Sequence, residues 1–106
     1  MTIRRKRILP PPGVSRTAWS RLTVFEQQVY RVIAKIPRGQ TRSYQWVAQR
    51  IGRPNAVRAV GNALHKNPFA PRIPCHRVIR SDGSLGDFAG GVAKKRRLLA
   101  RELRQK

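Results

Sequence analysis

Charge constrains this chain more than any other feature of its sequence. Among 106 residues, 24 are Lys or Arg and only 4 are Asp or Glu, which gives a formal net charge of +20 at pH 7. Repulsion on this scale opposes a compact fold unless a polyanion neutralises it. Because the basic residues are spread along the chain and not confined to one amphipathic helix, a nucleic acid is favoured as the partner over an anionic membrane.

Length and cysteine content narrow the class further. A chain of 106 residues is expected to form one small domain with a modest core. Its single cysteine, Cys75, excludes an internal disulfide and a multi-thiolate zinc site. No apolar run approaches the roughly 18 residues of a transmembrane helix, and no signal-peptide core follows the basic start. We therefore expect a soluble protein of the reducing cytoplasm, associated with the nucleoid through DNA.

The first twenty residues read as a tail. Residues 4–7 are a basic cluster, and residues 10–13 are Pro-Pro-Pro-Gly, which supports neither a helix nor sheet pairing. We predict that residues 1–20 are disordered and add non-specific attraction to phosphates. The folded domain is predicted to cover residues 21–106.

Capping residues and apolar periodicity predict the first two helices of that domain. Thr23 and Glu26 form a capping box, and apolar residues at helical spacing continue to residue 36. A second helix is predicted over residues 44–51, with Ser43 as its N-cap.

A third helix is predicted over residues 55–66. Only Gly-Arg-Pro separates it from the second helix, so the pair is typical of a helix-turn-helix. Arg58 stands out from small neighbours, which are Ala56, Ala59, Gly61 and Ala63. Small residues allow either close packing against another helix or the approach of this helix to a nucleic-acid groove, and both interpretations stay open.

The cysteine lies in the motif Ile-Pro-Cys-His-Arg-Val, residues 73–78. Pro74 restricts its own φ and the residue before it, so we predict that Cys75 lies on a stiff loop and not inside a helix. A thiol beside the imidazole of His76 is a candidate nucleophile, because the thiolate is the reactive form. A lone cysteine is also commonly a small buried apolar residue, and the motif alone leaves both interpretations open.

The chain after the cysteine is predicted to contain a short strand, a turn over residues 81–84, a glycine-rich loop and a last helix. That helix, residues 92–104, is predicted to bury Leu98, Leu99 and Leu103. Glu102 is either a surface ion-pair member or the partner that orients His76. The predicted fold class is mostly α with short strands, like a winged helix-turn-helix DNA-binding domain.

Several motifs in order resemble the C-terminal, active-site domain of the O6-alkylguanine-DNA alkyltransferases, the methylated-DNA–protein-cysteine methyltransferases. The resemblance runs from about residue 22 to residue 102, nearly all of the predicted folded domain. It rests on residues 36–41 (Ile-Pro-Arg-Gly-Gln-Thr), Ser43 and Tyr44, residues 58–61 (Arg-Ala-Val-Gly), Asn67 and Pro68, residues 74–78 (Pro-Cys-His-Arg-Val), Gly90 and Gly91, and residues 98–102 (Leu-Leu-Ala-Arg-Glu). The Pro-Cys-His-Arg-Val pentapeptide with these neighbours is a specific signal, and it favours the nucleophile interpretation of Cys75.

The resemblance implies a role for each matching residue near the cysteine. Cys75 would be the alkyl acceptor, activated through a water by His76, which Glu102 orients. Tyr44 would hydrogen-bond the extruded guanine and help to protonate it, assisted by Lys95. The implied pocket residues are Val78, Phe88 and Ala89, and Asn67 would pin the turn between the third helix and the cysteine.

The resemblance also implies how DNA is bound. Arg58 would enter the duplex in place of the flipped nucleotide, and the helix-turn-helix would dock in the minor groove. The remaining residues implied to contact DNA are Ala56, Ala59, Gly61, Asn62, Arg42 and Ser43. The expected reaction is a single, stoichiometric transfer of a methyl or alkyl group from O6-alkylguanine, with O4-alkylthymine as a second candidate substrate. No metal or cofactor is expected, and the protein is expected to act as a monomer on double-stranded DNA.

Three features depart from the family's pattern. We expect the family's usual N-terminal domain to be absent, which leaves only the basic tail. Phe88 and Ala89 stand where many members have Tyr and Ser, so two hydroxyl contacts would be missing, and Asp87 adds a carboxylate beside a surface that should face phosphates. Two alternatives stay open: an alkyltransferase-like protein that binds the lesion without repairing it, and a helix-turn-helix regulator.

Overall fold

The computed structural model describes residues 8–69, 72–85 and 91–104. In chain order these residues form the following elements: α1 (Arg16–Ser20), α2 (Val24–Ile33), β1 (Arg42–Ser43), α3 (Tyr44–Arg50), α4 (Val57–His65), a 3₁₀ turn (Cys75–Arg77), β2 (Val78–Ile79) and α5 (Val92–Arg104). The predicted fold class, mostly α with short strands, is confirmed.

The predicted N-caps of α2 and α3 are present. Thr23 Oγ1 accepts from the Glu26 N–H at 3.1 Å, and the Glu26 carboxylate accepts from the Thr23 N–H at 2.9 Å, which completes the capping box. Ser43 Oγ accepts from the Trp46 N–H at 2.9 Å. Each cap satisfies N–H groups that the first turn of a helix leaves without intrahelical partners.

The helix-turn-helix consists of α3 and α4, which pack on α2. α4 begins at Val57, two residues later than predicted, because Ala56 at its N-cap has no side chain that can accept a hydrogen bond. Tyr30 of α2 is fully buried, and its hydroxyl donates to the Ala63 carbonyl of α4 at 2.5 Å. The remaining fully buried positions of these helices are Val29, Ile33, Val47, Ala48 and Val60.

A short parallel strand pair places the cysteine beside the start of α3. Arg42 pairs with Val78, and Ser43 pairs with Ile79. Since α3 begins at Tyr44 and β2 follows the 3₁₀ turn directly, this pairing brings Tyr44 and the turn with Cys75 to the same part of the molecule. The reverse turn predicted after β2 is present, with Gly83 at φ 90° and the Arg80 N–H bonded to the Ser84 carbonyl at 2.9 Å.

The prediction of a disordered tail up to residue 20 is wrong for the part that the structure describes. α1 begins after a Ser15 cap, and Val14 and Trp19 belong to the core, with Trp19 only 3% exposed. The basic and proline-rich composition hid a few apolar side chains that pack against distant parts of the chain. Residues 1–7 lie outside the described residues.

The predicted face of α5 is also wrong. Leu103 is 62% exposed, and Leu98 and Leu99 are only partly buried, whereas Lys95 and Glu102 are buried. Lys95 and Glu102 are seven residues apart and therefore share one face of the helix. That face packs on the 3₁₀ turn with Cys75, where both charged groups find hydrogen-bond partners.

Candidate active site

Cys75 begins a single 3₁₀ turn, where a loop without helical structure was predicted. Its N–H donates to the Ile73 carbonyl at 2.9 Å, and the Arg77 N–H donates to the Pro74 carbonyl at 2.9 Å. The cysteine is 3% exposed. Pro74, with φ −83° and ψ 68°, is the N-cap of the turn, and the Cys75-to-Ile73 hydrogen bond closes an inverse γ-turn around it. The thiol is therefore held on rigid backbone.

The His76 imidazole contacts the Glu102 carboxylate through Nε2, as the resemblance implied for an orienting pair. Nδ1 of His76 is buried and has no hydrogen-bond partner within residues 8–69, 72–85 and 91–104. The two ring nitrogens are thus distinct: one is held by Glu102, and the other is left to exchange a proton with another group.

Arg77, which the sequence did not single out, holds Glu102 from a second side. Its Nε donates to Glu102 Oε2 at 2.9 Å, Nη2 donates to Oε1 at 3.0 Å, and Nη1 donates to the Ile36 carbonyl at 2.8 Å. The Gly39 N–H adds a contact to Oε2 at 3.2 Å. Burial alone would raise the pKa of the Glu102 carboxyl, but the hydrogen bonds from Arg77, His76 and Gly39 outweigh it and hold that pKa at about 2.

One signal could have identified Arg77 from the sequence. The chain has only four acidic residues, so an arginine inside the cysteine motif competes for few carboxylates. A bidentate arginine–carboxylate pair is also a common way to stabilise a buried charge. Neither consideration names the partner, which lies 25 residues away in the sequence.

The thiol and the imidazole are both neutral at rest. Burial raises the pKa of the Cys75 thiol above its ordinary value of 9.0, although the Asn67 side chain and the charge of Lys95 oppose this. Burial lowers the pKa of His76 below its ordinary value of 6.5, although Glu102 opposes this. A protonated thiol next to a neutral imidazole is the starting state for general-base activation of the sulfur.

Tyr44 and Lys95 also meet, as the resemblance implied. Lys95 Nζ lies 3.4 Å from the Tyr44 hydroxyl and 5.6 Å from the centre of its ring. Nζ also donates to the Leu85 carbonyl, and the lysine has no exposed surface. The hydroxyl of Tyr44 and the ammonium group of Lys95 therefore form one polar cluster between α3 and α5.

A cleft of about 650 Å³ opens on the other side of Tyr44. Three residues of α4 that were predicted to contact DNA line it: Arg58, Gly61 and Asn62. The cleft has three further lining residues that the sequence did not single out, which are Val57, His65 and Arg80. The signal for His65 was its position one turn after Gly61 and Asn62, on the same helix face.

The other residues predicted to contact DNA lie outside the lining of this cleft. Ala56 is the N-cap of α4, and Ala59 is an exposed residue of that helix. Ser43 caps α3. The Arg42 guanidinium lies 5.4 Å from the centre of the Trp46 ring and donates to the Gln40 side chain at 2.9 Å.

The predicted hinge residue Asn67 spans the start of the segment that leads to Cys75. Its Nδ2 donates to the Ile73 carbonyl at 2.7 Å, and its Oδ1 accepts from the Phe69 N–H at 2.9 Å. Val78 is fully buried in β2. The predicted pocket residues Phe88 and Ala89 lie outside the described residues.

Within the described ranges, no group of three or more His, Cys, Asp or Glu side chains is placed to hold a metal ion. None of the described helices is long and apolar enough to cross a membrane.

Fold and site together define a helix-turn-helix domain with a buried cysteine, a histidine next to it in the chain that contacts a buried glutamate, and an open cleft along α4 that Tyr44 lines. Residues 24–104 match the family model described as "6-O-methylguanine DNA methyltransferase, DNA binding domain". The chain belongs to this family.

Curated relatives cover the same region. The bifunctional transcriptional activator/DNA repair enzyme Ada of Escherichia coli is 51% identical over 80 residues, which is 76% of this chain and 23% of Ada. The methylated-DNA--protein-cysteine methyltransferase of Mycobacterium tuberculosis H37Rv is 49% identical over 80 residues, which is 76% of this chain and 48% of that protein. The chain therefore spans about half or less of the length of these relatives.

Solved structures agree with the fold. Mycobacterium tuberculosis OGT in complex with DNA superposes with a TM-score of 0.78 at 47% identity, over 80% of this chain and 53% of that one. Schizosaccharomyces pombe Atl1 in complex with damaged DNA containing O6-carboxymethylguanine superposes with a TM-score of 0.70 at 31% identity, over 77% of this chain and 78% of that one.

Proposed function

We propose that this protein repairs DNA by moving an alkyl group from O6 of guanine to Cys75, once per molecule. The observation that carries the proposal is the buried Cys75 thiol on a 3₁₀ turn whose next residue is His76, an imidazole that Glu102 holds by one ring nitrogen. Family membership supports the same conclusion, because a relative at 49% identity is named a methylated-DNA--protein-cysteine methyltransferase and another at 51% identity is named a DNA repair enzyme.

The target atom requires the base to leave the duplex. O6 of guanine lies inside the base stack, so the nucleotide must be extruded before a protein thiol can reach it. Arg58 is exposed on α4 and lines the cleft next to Tyr44, so its guanidinium can occupy the space that the base vacates. The net charge of +20 supplies the attraction to phosphates. We propose duplex DNA with an alkylated guanine as the substrate, and a monomer as the acting form.

The transfer itself is a displacement at the alkyl carbon. The proton of the Cys75 thiol passes through a water to Nδ1 of His76, and Glu102 stabilises the imidazolium that forms. The sulfur then forms a bond to the alkyl carbon while the bond from that carbon to O6 breaks. Tyr44 gives a proton to the departing guanine and regains one from Lys95. The net result is a thioether on Cys75, an unmodified guanine and no consumed cofactor.

The product explains a single turnover. A thioether has no leaving group that water can displace, and no residue of the site can regenerate the thiol. The protein is therefore both the catalyst and the final alkyl acceptor, and one molecule repairs one lesion.

The deciding experiment is the intact mass of the protein after incubation with an oligonucleotide that contains O6-methylguanine. We expect a gain of one methyl group, located on Cys75 by peptide mapping. Cys75→Ser should bind the same oligonucleotide and gain no mass. An unchanged wild-type mass together with tight lesion binding would contradict the proposal and would favour lesion recognition without repair.

A further inference from the structure

Residues 8–22, here called the N-terminal arm, lie outside the region that matches the family model, which begins at residue 24. The arm is nevertheless built into the core. Trp19 is 3% exposed, its Nε1 donates to the Ile8 carbonyl at 2.8 Å, and its carbonyl accepts from the Gln27 side chain at 2.9 Å. Trp19 therefore ties the beginning of the arm to α2.

The arm contacts the part of the chain that leads into Cys75. We call residues 67–69 and 72–74 the acceptor segment. The Trp19 ring lies 6.4 Å from the ring of Phe69, which also makes an edge contact with Tyr30 at 6.2 Å. Aromatic pairs at such distances attract each other beyond the effect of their buried area.

A second contact joins the arm to the same segment. Gly13 has φ 82°, and a Cβ at this position would overlap the guanidinium of Arg72. The exposed side chain of Arg72 in the acceptor segment thus lies against the backbone of the arm at Gly13.

Hydrogen bonds connect Phe69 to the cysteine in short steps. The Phe69 N–H is held by Asn67, and the Phe69 carbonyl accepts from the Ile73 N–H at 3.0 Å. The Ile73 carbonyl in turn accepts from the Cys75 N–H at 2.9 Å. A displacement of the Phe69 ring therefore reaches the backbone of Cys75 through two hydrogen bonds.

We infer that the N-terminal arm is a positioning element for Cys75, in which Trp19 acts through Phe69 to hold the thiol in line with the bound alkyl group. This inference rests on the proposed function for its consequence in alkyl transfer. Displacement at carbon is sensitive to alignment, and a misplacement of about 1 Å can cost a hundredfold in rate. The alternative is that the arm adds stability to the domain and has no effect on the geometry of the thiol.

The experiment compares Trp19→Leu with Ile33→Val, a substitution in the fully buried part of α2. Both variants are measured well below their melting temperatures. We expect Trp19→Leu to slow single-turnover alkyl transfer about tenfold, with unchanged affinity for undamaged duplex, because α3 and α4 do not contain the acceptor segment. Ile33→Val should leave the transfer rate within twofold of wild type. Trp19→Phe keeps an aromatic ring next to Phe69 and should recover most of the rate.

A double substitution tests the route through Phe69. In a Phe69→Leu background, Trp19→Leu should have little further effect on transfer, because the ring through which it acts is already absent. If the two rate losses multiply independently, or if Trp19→Leu and Ile33→Val slow transfer equally, the positioning role is wrong and the arm is only stabilising.

A second readout separates this inference from the proposed function. Cys75 is the only cysteine in the chain, so its reaction with iodoacetamide reports this thiol alone. We expect the pH midpoint of that reaction to shift in Trp19→Leu and not in Ile33→Val. If wild type transfers no alkyl group from DNA, the proposed function fails, and this pH profile still decides the inference: a shift confined to Trp19→Leu supports positioning, and identical profiles overturn it.

Discussion

The two sides of Tyr44 differ in how their polar groups are held. On one side, Lys95, Glu102 and His76 are buried and bonded to one another or to backbone carbonyls. On the other side, Arg58 and His65 are exposed and line an open cleft. Buried charges need fixed partners, whereas exposed charges gain from a polyanion that is not yet bound. The buried groups, here called the chemical side, are therefore held by partners within the described residues, whereas the exposed groups, the binding side, are free to contact the DNA that we propose as the substrate.

Substitution of Arg58 is expected to give the largest effect. It tests whether the binding side is needed for chemistry on a duplex. Arg58→Ala should slow transfer from duplex O6-methylguanine about a hundredfold, since extrusion of a base costs a few kcal/mol. Reaction with free O6-benzylguanine, which needs no extrusion, should change less than twofold. The test is to measure single-turnover transfer rates with both substrates, for wild type and Arg58→Ala.

The matched control is Arg53→Ala, which removes the same charge from the exposed turn between α3 and α4. It should weaken duplex binding slightly and leave the transfer rate from bound duplex unchanged. Equal losses on both substrates in Arg58→Ala would show that Arg58 supports the fold and not extrusion.

Substitution of Glu102 is expected to have a smaller effect, and it tests the chemical side. Glu102→Gln should slow transfer about tenfold to a hundredfold, because the imidazolium of His76 loses its stabilising carboxylate. The loss should shrink as pH rises towards the raised pKa of Cys75, since the thiolate then forms without the imidazole. Transfer rates against pH, for wild type and variant, provide the test, and parallel profiles would contradict the relay.

Two controls separate the relay from simple destabilisation. Glu26→Gln removes a carboxylate from the capping box of α2 and should lower stability without changing transfer. Glu102→Gln also leaves the charge of Arg77 unpaired, which is costly in a buried site. The double variant with Arg77→Met should therefore recover stability relative to Glu102→Gln and still transfer slowly. Recovery of the rate as well would make Glu102 a structural ion-pair residue.

The same contrast explains what the sequence could predict. Caps at Thr23 and Ser43 and the break at Gly-Arg-Pro are local signals, and each produced the expected element or turn near its expected place. The proline before Cys75 predicted a loop, whereas the structure has a 3₁₀ turn there. On the exposed side, the position of Arg58 on α4 followed directly from helical periodicity.

The buried side could be predicted only in part. The face of α5 was misjudged because periodicity assigns leucines to the core, whereas Lys95 and Glu102 are buried by partners 51 and 26 residues away. Arg77 was missed for the same reason, and Trp19 was missed because composition alone assigned its segment to a tail. Hydrogen bonds between buried polar side chains that are far apart in the sequence leave no periodic pattern in a single sequence.

The smallest expected effect is the pH dependence of stability, which reports the buried side without any substrate. His76 has a pKa below its ordinary value of 6.5 in the folded protein, so the unfolded chain binds more protons as pH falls below that value, and stability is lost. Glu102 has a pKa of about 2 in the folded protein, against an ordinary value of 4.5, and it therefore adds a further loss of stability below pH 4.5. The pKa of Cys75 is raised above 9.0 in the folded protein. Its contribution to stability is therefore present below pH 9.0 and is lost as the pH rises above that value. The urea midpoint should therefore be highest between about pH 6.5 and 9.

Single substitutions test which group causes the loss of stability in the acidic and in the alkaline pH range. The chain has two histidines, so His76→Asn should flatten the limb between pH 6.5 and 4.5, whereas His65→Gln, which removes the exposed histidine, should leave it in place. Cys75→Ala should flatten the first part of the alkaline limb and leave the part above pH 10, where the raised pKa of the buried Tyr30 acts in the same direction. A midpoint that rises continuously from pH 6.5 down to 4.5 would mean that His76 is more readily protonated in the folded protein than in the unfolded chain, and the neutral resting imidazole on which the transfer mechanism depends would be wrong.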